Sequence, residues 1–111
     1  MWWYSQAHAM IHPNKIFPEP FGLAPCESMA CGCPVIAWRY GAMKETVSEG
    51  VSGWRVKSES QLVEAIKHVA KPGVIDENVR KVSRDWVGQF SIEKMVRRYE
   101  ELIHLAIKEP W

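Results

Sequence analysis

Long apolar runs, cysteine and an excess of either charge are what this sequence has least of. No stretch approaches the roughly 20 apolar residues that span a bilayer, and Met1-Trp2-Trp3-Tyr4 carries neither a basic leader nor a small-residue cleavage site. We therefore expect a cytoplasmic chain with no transmembrane segment. The 14 Lys and Arg residues are balanced by 13 Asp and Glu, a formal net charge of +1. Phosphate neutralisation needs a basic excess on one face, so no nucleic-acid partner is expected. The 3 cysteines, Cys26, Cys31 and Cys33, crowd into one short stretch, and an odd, clustered set makes a poor disulfide framework. Cys31-x-Cys33 suggests a metal clip, but there is no second cysteine pair, and His8 and His12 lie in an apolar stretch. Zinc sites want four ligands at recognisable spacings, so we expect buried thiols and no metal. Internal repeats and low-complexity tracts are also missing.

What is present is ordinary globular composition. With 111 residues, 47% apolar and 24% charged, the chain reads as a single domain over residues 1–111. Roughly two thirds of its unfolded surface becomes buried at this size. Three strand-like runs alternate with helical segments: Ala9-Met10-Ile11-His12, Pro34-Val35-Ile36-Ala37-Trp38 and Gly53-Trp54-Arg55-Val56. That alternation marks an α/β domain with a short parallel sheet of about three strands. The second run is apolar at every position, as a strand covered on both faces must be. Between the first two runs, Ala24 to Cys31 reads as a helix with Pro25 at its first position and Gly32 past its end. Met43 to Glu49 is long enough for about two helical turns.

The second half reads as purely helical. Ser58-x-x-Gln61 is a capping box opening a helix that Pro72-Gly73 stops. A further helix is expected from Asp76 to Trp86, burying Val79, Val82 and Trp86. Ser91 caps a last one in which Ile92, Met95, Val96, Tyr99, Leu102, Ile103 and Ala106 form a broad apolar stripe. Such a stripe serves either a core or the cover of another domain. Three strands are few for a doubly wound sheet, so an exposed sheet edge is expected to be covered by self-association into a homo-oligomer, most simply a dimer.

The chemistry concentrates between Glu19 and Ala37. Glu19 and Glu27, eight positions apart, flank a glycine turn that leads into a helix. Gly22 permits close backbone approach, and free amides at a helix start form an anion site suited to a diphosphate. Pro25 removes one donor, leaving Gly22, Leu23 and Ala24. Glu27 can accept two hydroxyl hydrogen bonds, which suits a ribose diol, and Glu19 can do the same for a sugar. By residue type alone both are equally read as solvated or capping carboxylates, and a carboxylate pair also fits acid–base hydrolysis.

The run E-P-F-G-L-x-x-x-E-x-M-A-x-G-x-P-V-I-A, from Glu19 to Ala37, resembles the signature of retaining glycosyltransferases of the family-four type, which include sucrose- and glycogen-synthase relatives. Gly41-x-x-x-Glu45-x-Val47-x-x-Gly50-x-x-Gly53, Phe90-Ser91 and Tyr99-Glu100 continue the likeness over nearly the whole chain. The resemblance implies the GT-B architecture, two facing Rossmann-like domains, of which this chain is part of the C-terminal, donor-binding one. It implies a nucleotide-diphosphate sugar as donor, transferred with retention and without a metal or other cofactor. Glu19 would be the catalytic-site carboxylate touching hydroxyls of the transferred sugar. Gly22, Leu23 and Ala24 would approach the sugar and diphosphate, Glu27 the ribose, and Glu45 would shape the nucleotide pocket or simply face solvent.

Departures matter equally. Gly41-Ala42-Met43-Lys44 stands where the family has a glycine pair, and the loop from Pro13 to Glu19 is longer than usual. An acceptor domain is missing, as is the first half of the donor domain with its basic diphosphate-gripping residues. Lys15, Arg39 and Lys44 are the nearest substitutes, each also readable as a surface charge. Trp38, Tyr40 and Trp54 can stack on a base or pack in the core. Two function classes follow: a donor half-site acting with a partner chain that supplies the acceptor domain, or a non-catalytic oligomeric assembly module of the same descent.

Overall fold

The structure, a computed structural model, describes residues 2–13 and 22–108. Its centre is the strand β2 (Val35–Trp38), in which Val35, Ile36 and Ala37 are wholly buried. Strand β1 (Met10–His12) and strand β3 (Gly53–Val56) pair with it in parallel, in the order β1-β2-β3. The register sets Ile11 beside Ile36 and Ile36 beside Trp54. The expected three-stranded parallel sheet is therefore present, with β1 and β2 each one residue shorter than the sequence runs. Pro34 cannot donate to a ladder; its carbonyl instead accepts from Met10 N at 2.9 Å. Gly53 is needed where β3 begins, because a Cβ there would stand 1.9 Å from the Val35 carbonyl oxygen.

Alternation along β2 splits the core into two layers. Val35 and Ala37 pack with Met29, Met43, Val47 and Val87, on the face covered by α2 (Leu23–Ala30), α3 (Met43–Thr46) and α5 (Glu77–Val87). Ile36 packs with Val56, Ala65 and Val69, on the face covered by α4 (Glu59–Ala70). Ser58 accepts from Gln61 N at 3.1 Å to start α4, and Asp76 accepts from Val79 N at 2.9 Å to start α5.

Several boundaries differ from expectation. α2 begins at Leu23, placing Pro25 third, still within the turn whose N–H groups have no helical acceptor. α3 is one turn, not two: Val47 leaves the helix with φ −106° and ψ 118° and is buried in the core. Val79, Val82 and Trp86 are half-buried rather than buried, and Trp86 Nε1 donates to the Thr46 carbonyl at 2.8 Å. A short helix α1 (Trp2–Gln6) was not expected; Trp2 and Trp3 are exposed in it.

The outer edge of β3 is closed by the chain itself. Glu49 Oε2 accepts from Arg55 N at 2.6 Å, Gln61 Oε1 from Lys57 N at 2.8 Å, and Gly50 N donates to the Gly53 carbonyl at 2.9 Å. After a 3₁₀ turn (Gly88–Phe90), α6 (Ile92–Lys108) leaves the body, and every residue in it is exposed. No helix of the described residues is long and apolar enough to cross a membrane.

Candidate functional site

The carboxyl ends of β1 and β2 feed the segments that lead to α2 and α3. Both helix starts therefore stand on one edge of the sheet, where open α/β sheets hold their ligands. Gly22 is the residue before α2, with φ 87° and ψ 69°, a left-handed conformation that disfavours a side chain. Among the described residues no side chain caps this helix start. Cys26 N donates to the Gly22 carbonyl at 3.1 Å, the first helical bond. The amides of Leu23 and Ala24 precede it and have no helical acceptor. Leu23 is 69% exposed and Ala24 is exposed, so these donors are open to a ligand. Pro25, buried beneath them, fixes the turn without adding an unsatisfied N–H.

Glu27 lies one turn further along α2, exposed, and takes part in none of the ion pairs among the described residues. Its charge is felt locally. Burial pushes the Cys26 thiol up, and the Glu27 carboxylate beside it pushes in the same direction. The inner face of α2 is fixed by Ser28, whose Oγ donates to the Cys33 carbonyl at 3.0 Å, and by fully buried Met29. Glu45, on α3, is also exposed. The Trp86–Thr46 hydrogen bond anchors the residue after it. Glu19 and Lys15 fall outside the described residues, as does Phe21. Arg39 and Lys44 are exposed, and the Lys44 carbonyl accepts from Arg55 Nη1 at 2.7 Å.

The three cysteines are free thiols, Cys33 buried and the others half-buried. Burial raises the Cys33 pKa, opposed by its hydrogen bond with Ser28 and by the Arg80 charge. Among the described residues no three His, Cys, Asp or Glu side chains converge as a metal site. His8 faces the Val69 carbonyl, 3.1 Å from Nδ1. Trp38 and Trp54 pack against the α4-side core, and Trp54 meets His68 edge-on at 5.7 Å, so both belong to the packing.

Two features escaped sequence reasoning. Arg80 Nη2 donates to the Ala7 carbonyl at 2.9 Å and Nη1 to the Gly32 carbonyl at 3.3 Å, tying α5 to the chain before β1 and to the turn after α2. Partners 48 and 73 residues away leave no local signal. A groove of about 690 Å³ lies between β3 and α4, lined in part by Trp54, Arg55, Lys57, Gln61, Lys67 and His68. It does not include the α2 start, and Glu49 and Glu64 offset its lysines.

The sequence pattern of the family described as glycosyl transferases group 1 matches residues 3–86. The D-inositol 3-phosphate glycosyltransferase of Frankia alni is 43% identical over 51 residues, 46% of this chain and 12% of that protein. The alpha-1,3/1,6-mannosyltransferase of Neurospora crassa is 34% identical over 91 residues, 77% of this chain and 19% of that one. Among solved structures, the sucrose-phosphate synthase of Thermosynechococcus elongatus superposes with a TM-score of 0.79 at 29% identity, over 96% of this chain and 27% of its own. The chain thus spans at most about a quarter of the length of these relatives.

Proposed function

The chain belongs to the glycosyl transferases group 1 family and has the α/β fold of a GT-B glycosyltransferase, and from that premise we propose that it is the donor half-site of a retaining hexosyltransferase. The start of α2, with no side-chain cap among the described residues, carries this reading. Left-handed Gly22 leads to the exposed Leu23 and Ala24, with the exposed Glu27 carboxylate one turn on. Two amides and the positive end of an eight-residue helix suit the diphosphate of a nucleotide sugar. Glu27 accepts the two ribose hydroxyls, Glu19 hydroxyls of the transferred sugar, and Glu45 bounds the nucleotide pocket.

In the transfer, the bond from the anomeric carbon to the diphosphate oxygen breaks, the acceptor hydroxyl's oxygen bonds to the same face, and its proton passes to the leaving diphosphate. The positive charge is greatest on the sugar in an oxocarbenium-like transition state. The amides hold the negative charge developing on the leaving diphosphate, so the step needs no metal. Groups from a second wall must supply acceptor binding, from another domain or a partner chain, and this chain alone is expected to be inactive. Unpaired, clustered cysteines suit a reducing compartment, the cytoplasm.

Isothermal titration with UDP, GDP and ADP and their glucose or mannose conjugates tests the reading. One nucleotide series binds, and Glu27→Ala weakens it at least about 10-fold, since a hydrogen bond to a charged group is worth about 1.5–3 kcal/mol. Absence of heat with any ligand to about millimolar, an affinity below ~4 kcal/mol, overturns it and leaves a non-catalytic assembly module.

A further inference from the structure

We propose that Arg55 and Trp86 are positioning residues of the donor site, which clamp the one-turn helix α3 and so fix Glu45 at the carboxyl edge of the sheet. This rests on the reading of Glu45 as a wall of the nucleotide pocket. α3 runs from Met43 to Thr46. Closing a first helical turn carries an equilibrium factor of only about 10⁻³, so a helix of this length is ordered by what holds it rather than by its own bonds. Its inner face is held by Met43 and Thr46, both buried. Its outer face carries Lys44 and Glu45, both exposed. The last four carbonyls of a helix have no helical donor, and in a four-residue helix that is every one of them.

Two of these carbonyls, on either side of Glu45, are taken by distant side chains. Arg55 Nη1 donates to the Lys44 carbonyl at 2.7 Å, and Trp86 Nε1 to the Thr46 carbonyl at 2.8 Å. Both clamps are themselves held. Arg55 lies in β3 opposite Ala37 of β2. Its amide donates to Glu49 Oε2 at 2.6 Å, and the same oxygen stands 3.9 Å from its Nε. Trp86 packs against the core cluster of Met29, Met43 and Val47 and meets Phe90 edge-on at 6.5 Å. The segment carrying Glu45 is thus pinned from the sheet and from α5 at once. A ligand that needs Glu45 in place binds with an apparent dissociation constant that rises as the inverse of the fraction of molecules holding it there. Releasing one clamp so that this fraction falls to about 0.1–0.3 weakens the ligand about 3–10-fold, and never by more than the loss of Glu45 itself.

Titration of the full chain with UDP, GDP and ADP, together with amide hydrogen exchange, tests this on Glu45→Ala, Arg55→Met, Trp86→Phe and Glu45→Ala combined with either of the other two. Trp86→Phe keeps an aromatic ring in the core and changes no charge, so it separates the lost N–H from the lost guanidinium. The nucleotide that binds the parent is expected to bind Arg55→Met and Trp86→Phe about 3–10-fold more weakly. Each double variant is expected to bind no more weakly than Glu45→Ala alone, because a residue that acts through Glu45 then has nothing left to position. The Glu45 and Thr46 amides donate to the Ala42 carbonyl at 3.0 and 2.9 Å. Without nucleotide, they are expected to exchange at least about 10-fold faster in Arg55→Met and in Trp86→Phe, while the Val35 amide of β2 keeps its rate. Unchanged exchange of these two amides overturns the clamp. Losses of affinity that add to that of Glu45→Ala overturn the positioning role and leave the donor reading standing. A parent that binds none of the three nucleotides overturns the donor reading and this role with it, while the exchange rates still decide whether the clamp is there.

Discussion

Replacing Gly53 by Ala tests the packing that holds the site's sheet together. The added Cβ would lie 1.9 Å from the Val35 carbonyl oxygen, 2.8 Å from its carbon and 2.9 Å from its nitrogen. All three are backbone atoms of the central strand, so no side chain can swing aside. β2 and β3 must part by at least about 1 Å to reach van der Waals separation. The Val35 N to Ser52 O hydrogen bond, now 3.1 Å, does not survive that movement. Each buried backbone group left unpaired costs about 1–3 kcal/mol, so two groups bring the loss to roughly 2–6 kcal/mol. Against a total stability of about 5–15 kcal/mol, the melting temperature should fall by about 8–48 °C, at roughly 4–8 °C per kcal/mol. Gly88→Ala is the control. Nothing lies within 4 Å of its Cβ position and φ is −57°, so restricting the unfolded chain should stabilise by about 0.4–1 kcal/mol. Thermal circular dichroism of both variants is the assay. A Gly53→Ala protein that melts within about 3 °C of the parent, less than 1 kcal/mol, would refute the close approach of the two strands.

Three further outcomes follow from the same geometry. Arg80→Ala removes hydrogen bonds to the Ala7 and Gly32 carbonyls and should cost about 2 kcal/mol in urea unfolding; Arg80→Lys should recover little, since one ammonium cannot reproduce the guanidinium fork, and full recovery by Lys would contradict the two-carbonyl anchor. Ser58→Ala should destabilise by about 1 kcal/mol through loss of the α4 cap, and no change in the urea midpoint would argue against it. Cys26 and Cys33 have raised pKa values, so less thiolate exists at a given pH and iodoacetamide labelling should climb only above the pH of an unperturbed thiol. Peptide mass spectrometry across the alkaline range reads this, and half-labelling at or below that pH would contradict burial as the cause.

Much of this was legible because it is local. Val35-Ile36-Ala37 announces a strand covered on both faces by being apolar at every position, and the structure buries all three. Ser58 and Asp76 cap the helices that follow them because a cap is a contact three residues long. The glycine turn before α2 was legible for the same reason: Gly22 meets a left-handed backbone. What was hidden depends on distant partners. Val47 leaves α3 early because a core place awaits it. Glu49 and Gln61 close the β3 edge by reaching backbone amides 6 and 4 residues away, a geometry that only the folded turn creates. α1 was missed because Trp2-Trp3-Tyr4 has neither a cap nor strong helix formers. The periodicity of α6 showed one apolar face and its length, but the same stripe fits a core or an interface. Only the fold shows that the body leaves it bare. Of the candidate site, Gly22 to Glu27 stand at the sheet's carboxyl edge, a placement set by the parallel topology rather than by any local motif, and Glu19 lies outside the described residues.

The central claim is that the start of α2 holds the diphosphate of a nucleotide sugar. A ¹⁵N–¹H correlation spectrum of the full chain, titrated in turn with UDP, GDP and ADP, tests it most directly. The account predicts that one nucleotide moves the amides of Leu23 and Ala24 first and farthest, while those of Lys67 and His68 beside the β3–α4 groove stay still. Shifts gathered around Trp54, Lys57 and His68, or none with any nucleotide, would contradict it.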